Sequence, residues 1–147
     1  MVAVAASLLD GKLVCVRDPK RRAPLWKFPG GKSEPWEEGP FSSQEAKLAM
    51  VGEIGRRELL EEAGIEVSPR LPFELIYHEE RNGHEYFMIH FFLPSIPKDF
   101  DSPEGMEVVC WTPQEVDSCK QFHPAYKRSA EKLLRPLPAG MERPVRH

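Results

Sequence analysis

Apolar positions in this chain recur mostly at a spacing of two or in short β-rich runs, which predicts strands over most of its length. Residues 2–9 and 13–17 are two such runs separated by DGK, and they predict a hairpin around Asp10-Gly11. FELIYHEE and HEYFMIHFFL flank Arg81-Asn82-Gly83, and Asn-Gly between two β-rich runs is a strong hairpin signal. VVCWT at 108–112 predicts another strand, and Ile65–Val67 a short one. Helical spacing runs through Ala46, Ala49, Met50, Ile54 and Leu60. Ser42 or Ser43 suits its N-cap, Glu45 its first turn, and Gly64 its end, while Gly52 and Gly55 predict a break inside it. A last amphipathic helix is expected from Pro124, a residue suited to a first helical position, to Leu134.

Strands surrounding one central and one terminal helix predict an α/β (α+β) fold, a mixed β-sheet packed between helices. The expected organisation is one domain over residues 1–135, followed by a flexible tail at 136–147 that lacks apolar periodicity. The two remaining stretches are loops. PKRRAP (19–24) is basic, and LWKFPGGKSEPWEEGPFSS carries the Pro, Gly and Ser punctuation of a long irregular segment.

Composition narrows the function. With 147 residues the chain has the size of one compact domain, and 41% hydrophobic with 29% charged residues is ordinary for a globular protein. A net charge of −3 gives no global basic footprint, so duplex nucleic acid is disfavoured as a partner. The first 18 residues are too short and too broken for a membrane span, and they lack a basic leader. Cys15, Cys110 and Cys119 form an odd, scattered set without a CxxC pair, which fits a reducing, cytoplasmic setting. His78, His84, His90 and His123 show no zinc-ligand spacing with these cysteines.

The charge pattern of GRRELLEEAGI (55–65) is the informative departure. On a helix Glu58 faces both Glu61 and Glu62, and like charges at that spacing repel. An ordinary solvated face alternates its signs more often. Three carboxylates on one rigid face are an economical way to hold Mg²⁺, which prefers oxygen ligands and binds carboxylates together with substrate phosphates. Upstream, PGGK (29–32) offers a glycine turn where backbone can approach a phosphate or a metal closely.

These residues resemble the signature of the Nudix hydrolases, G-x5-E-x7-R-E-U-x-E-E-x-G-U, where U is a bulky aliphatic residue. Gly31 is followed after five residues by Glu37, and Arg57 to Ile65 reproduce the second half at every fixed position. One departure is plain. Nineteen residues separate Glu37 from Arg57 instead of seven, an insertion of 12 placed at about 38–49. It reads as an enlarged loop or extra helical turns near the site mouth, and it leaves open whether Glu37 reaches Arg57.

The resemblance implies a Nudix fold and a Mg²⁺-dependent hydrolysis of a phosphoanhydride, with Mn²⁺ a possible substitute. It implies Glu58, Glu61, Glu62 and a carbonyl of Gly30 or Gly31 as metal ligands, with Glu61 either sharing metal or assisting the water. Arg57 would orient the glutamates. Relatives often add a carboxylate from a later loop before a strand ending in Trp; SPEGMEVVCW (102–111) looks like that loop, with Glu104 the first choice and Glu107 the second. Catalytic roles thus fall to Glu58, Glu61, Arg57 and Glu104.

LWKFPGGKSE looks like the LEFPGGKxE segment of the MutT-like branch, which converts nucleoside triphosphates to monophosphates and pyrophosphate. Phe122-His123-Pro124-Ala125-Tyr126 resembles that branch's F-L-P-A-N, but Tyr126 cannot present an amide donor and acceptor together. It can stack on a base, bond through its hydroxyl, or simply pack. Arg17, Lys20, Arg21, Arg22 and Lys32 are candidate phosphate contacts, and Tyr77, Tyr86 and Trp26 can line a base pocket or belong to the core. The expected partner is a small nucleotide, bound by a monomer or homodimer. A nucleotide-sugar or ADP-ribose hydrolase and a non-catalytic nucleotide-binding module are the alternatives. ADP-ribose relatives often carry a proline where Glu80 and Arg81 lie, and a pure binding module does not require all three helix glutamates.

Overall fold

A computed structural model of the chain describes residues 1–9, 11–94 and 99–127. Its strands are β1 (Val2–Leu9), β2 (Lys12–Arg17), β3 (Gly30–Lys32), β4 (Phe73–Arg81), β5 (His84–Phe92) and β6 (Glu107–Trp111). Its helices are α1 (Gln44–Glu58), prolonged by a π-turn over Leu59–Ala63, and the short α2 (Pro113–Ser118). Residues 124–127 are helical. The rest of the expected terminal helix and the 136–147 tail lie outside the described residues. No described helix is long and apolar enough to cross a membrane.

The strands form one mixed sheet in the order β4-β5-β1-β2-β6, with β3 pairing β1 off that path. β1 runs parallel to β5, while the other pairings are antiparallel. Period-two alternation decides which residues cover which face. Ala3, Ala5, Val14, Val16, Phe87, Ile89 and Phe91 pack with Val51, Ile54 and Leu59 of the α1 layer. Val2, Val4, Ala6, Leu13, Cys15 and Met88 pack on the opposite side with Trp26, Phe28, Val116 and Phe122. A large apolar side chain fully buried in either layer contributes about 1.5–3 kcal/mol. The sheet between helical layers is the arrangement that the strand and helix patterns predict.

Both hairpins form where turn chemistry requires. Leu8 pairs Leu13 and Leu9 pairs Lys12 across the Asp10-Gly11 connection. Asn82 and Gly83 take φ of 52° and 77°, so the β4–β5 turn has the two positive φ values of a type I′ turn.

Three expectations need correction. α1 is continuous through Gly52 and Gly55, because tertiary packing overrides their weak propensity. A Cβ at Gly52 would meet the Phe73 ring and one at Gly55 the Ile89 side chain, so the two glycines let the sheet lie close against the helix. Ile65–Val67 is not a strand. Ile65 and Val67 are buried in the α1-side core without ladder pairing, so their alternation reports burial alone. Finally, α2 arises where no helix was expected. Thr112 caps it by accepting from the Glu115 N–H, and Glu115 reciprocates on the Thr112 N–H.

The insertion at about 38–49 resolves into two parts, a loop and the first turns of α1. Ser43 caps the helix, its hydroxyl accepting from Ala46 N–H at 3.0 Å.

One irregularity of the sheet positions everything that follows. β1 and β2 pair only beside their hairpin and then diverge. Residues 27–32 fill the gap: Lys27 exchanges backbone hydrogen bonds with Val16 of β2, Ala5 N–H donates to Pro29 O, and β3 pairs Val2 through Val4 of β1.

Candidate active site

The wedge brings a glycine turn against the end of α1. A Cβ at Gly31 would fall on the Glu58 carboxylate, so glycine lets that carboxylate lie directly against the turn. Gly30 N–H donates to Glu62 Oε1 at 2.7 Å. At the helix terminus Gly64 has φ of 71° and caps the π-turn in the left-handed region, and it packs against the Asp101 backbone. π-turns inside helices recur at functional sites, and this one spans Glu61 and Glu62 and directly follows Glu58.

Arg57 organises the acidic residues. Its Nη2 lies 2.8 Å from Glu37 Oε1 and its Nε 3.4 Å from Glu37 Oε2. Its Nη1 reaches Glu58 at 3.2 Å and Glu61 at 3.4 Å, while Nη2 also donates to the Lys32 carbonyl. Despite the insertion, then, Glu37 does reach Arg57. The short turn Pro35–Glu37 presents it, and the guanidinium fork takes both of its oxygens.

Lys27 was not among the residues expected at the site. Its neighbours Trp26 and Phe28 are buried in the second core cluster, while its own Nζ lies 3.0 Å from Glu62 Oε2 and donates to Gly30 O at 3.2 Å. Strand periodicity across W-K-F separates Lys27 from the two aromatic residues beside it, but nothing local in the sequence names Glu62 as its partner.

Glu58 and Glu62 are buried at 8% and 5% exposure, and Glu61 is half-buried. Burial, and then the charge of Glu62, push the Glu58 carboxyl up to about 7 against the pull of Arg57. Glu104 is exposed, and its backbone N–H donates to Glu61 O, fastening its loop to the π-turn. Desolvation, followed by the charges of Glu62 and Glu61, raises its carboxyl as well. Glu107 instead pairs Arg17 at 2.8 Å.

A cleft of about 400 Å³ opens over this cluster, lined by Lys27, Glu62 and Glu104, with Arg21 and Arg22 and with His123 and Tyr126. Tyr126 also stands 6.3 Å, ring to ring, from buried Phe28, so packing and cleft lining coincide in one residue. Arg22 and Tyr126 therefore come to the cleft. Arg17 does not, since it lies over the Trp26 ring with its head on Glu107. Lys32 is exposed and does not line it. Trp26 is core, and Tyr77 and Tyr86 pack on the same cluster.

The donors are hard oxygens suited to Mg²⁺ or Mn²⁺ rather than to softer ions. Glu58 and Glu62, both buried against the glycine turn, are the carboxylates such an ion could draw on. Among the described residues, no three His, Cys, Asp or Glu side chains are gathered tightly enough to hold an ion in the arrangement observed. Glu62 is instead tied to Gly30 and Lys27, and Glu58 to Arg57.

A NUDIX domain family model matches residues 1–133. No curated protein matches the chain. Among solved structures, the E. coli ORF135 protein is 25% identical with a TM-score of 0.59, over 90% of this chain and 86% of that one. A NUDIX hydrolase from Nitrosomonas europaea is 23% identical with a TM-score of 0.64, over 98% and 91%. A MutT structure from work on Aliivibrio salmonicida and Vibrio cholerae is 17% identical with a TM-score of 0.64, over 90% and 94%. At such identities the last two likenesses concern the fold.

Proposed function

The chain belongs to the Nudix family of hydrolases, and from that premise we propose that it is a Mg²⁺-dependent pyrophosphohydrolase of nucleoside triphosphates. The observation that carries this reading is the packing of Glu58 and Glu62 against a glycine turn, beside a cleft that Glu62 and Glu104 line together with Arg21 and Arg22. Glu58, Glu62, Glu104 and the Gly31 carbonyl would hold Mg²⁺, or Mn²⁺ in its place. When bound, such an ion supplies charge stabilisation on phosphoryl oxygens and makes water more acidic.

The chain's own residues do the rest. Arg57, braced by Glu37, holds Glu58 and Glu61 in fixed orientation. Glu61, half-buried at the edge of the cluster, accepts the proton of the attacking water. Water oxygen bonds to one phosphorus, the bridging P–O bond breaks, and pyrophosphate leaves with that bond's electrons. Arg21 and Arg22 at the rim neutralise the phosphate chain, and the Tyr126 and His123 rings, tilted to one another, offer the nucleoside an aromatic wall.

A panel of nucleoside triphosphates, nucleotide sugars and dinucleotides, scored by product mass with Mg²⁺, tests the reading. Monophosphate plus pyrophosphate from a triphosphate is the expected product. Glu62→Gln should lower kcat by at least about a hundredfold. Equal, negligible turnover by both proteins across the panel would favour a binding module instead.

A further inference from the structure

Both oxygens of buried Glu62 are engaged. Oε1 accepts the Gly30 N–H, and Oε2 holds the Lys27 ammonium at 3.0 Å. That ammonium also takes the Gly30 carbonyl. One cation thus bridges a carboxylate and a backbone oxygen of the glycine turn, the two ligand types a Mg²⁺ site would draw on. Lys27 is well placed to leave: its side chain is 27% exposed, it lines the cleft, and four carbons connect its charge to the backbone.

We propose that Lys27 is a built-in counter-ion that competes with the divalent ion for Glu62, holding the acidic cluster together until metal displaces it. The idea rests on the metal reading given above. Lys27 keeps a buried carboxylate paired, and so offsets the penalty of an uncompensated buried charge. It also sets a threshold, because metal must exchange with an ammonium rather than enter an open site. Once displaced, the ammonium remains on the cleft wall, where an anionic substrate can accept it. Metal binding and substrate binding then favour one another through a single side chain.

The test uses the full chain and Mn²⁺ alone, with free ion followed by electron paramagnetic resonance. Lys27→Met should bind Mn²⁺ at least about fivefold more tightly than wild type. Lys27→Arg, which keeps the cation, should stay near wild type. Arg21→Met, which removes an equal charge from the cleft without touching Glu62, should change affinity by no more than about twofold. Thermal melts supply a second readout. Lys27→Met should melt below wild type in chelator and match it in saturating Mg²⁺, whereas a merely structural lysine would cost the same in both. Unchanged or weaker Mn²⁺ binding by Lys27→Met, or an effect equalled by Arg21→Met, overturns the proposal alone. Absence of Mn²⁺ binding by wild type and all variants overturns the metal reading and the proposal with it.

Discussion

At the residue scale, Glu58 carries the cost of crowding carboxylates. Its pKa in the fold stands at about 7, above the 4.5 of a free glutamate, so the folded protein holds this proton more tightly than the unfolded chain. Its contribution to stability is full below pH 4.5 and is lost as pH rises toward 7. The loss should be on the order of 1–3 kcal/mol. In chelator, Glu58→Gln should therefore gain on wild type between pH 5 and pH 8, read as the difference in Tm, and Mg²⁺ should close the gap at pH 8. Arg57→Ala tests a different property. Its guanidinium fixes the glutamates more than it supports the core, so turnover should fall about 10²-fold or more while stability falls by about 1–2 kcal/mol. Unchanged kinetics would remove Arg57 from the site. Glu58, Glu61 and Glu62 stand out in the sequence because an i, i+3, i+4 acidic face is costly on a plain surface helix, whereas Arg57 enters only through the resemblance to the Nudix signature. Lys27 does not stand out, because its partner Glu62 lies 35 residues away in sequence and only the fold joins them.

At the scale of elements, the insertion lengthens α1 toward its N-terminus and leaves the glutamate-bearing end intact. Ser43 secures the new start, and Ser43→Ala should cost about 1 kcal/mol by urea unfolding with kcat unchanged within about twofold. A large kcat loss would mean that the extra turns couple to the site. The same element shows where pattern reading stops. Ser43 and Gly64 mark its ends in the sequence, because capping and a positive φ are local requirements. The continuity across Gly52 and Gly55 is set by Phe73 and Ile89, which no local window contains. Ile65 and Val67 illustrate the converse, an alternation with no partner strand beside it. Hairpins fare best: Asn82-Gly83 dictates its own geometry, and the flanking strands follow.

At the scale of the whole molecule, the divergence of β1 from β2 decides how the site is supported. The glycine turn is a strand of the sheet, paired through Val2, Ala3 and Val4, and not a loop laid over it. The amide of Gly31 should consequently exchange with solvent in the slow class of β1 and β5, as native-state hydrogen exchange would read, whereas the Gly30 amide is held by Glu62 instead. Exchange at loop rates would refute this. The consequence reaches beyond protection factors. An apparatus stitched into the central ladder has no inexpensive way to come apart by itself, so heating should abolish hydrolysis and melt the protein at the same temperature. Evolution could then vary the basic rim and the Tyr126 wall for new substrates, while any change at the seam would be judged by whether the chain folds at all.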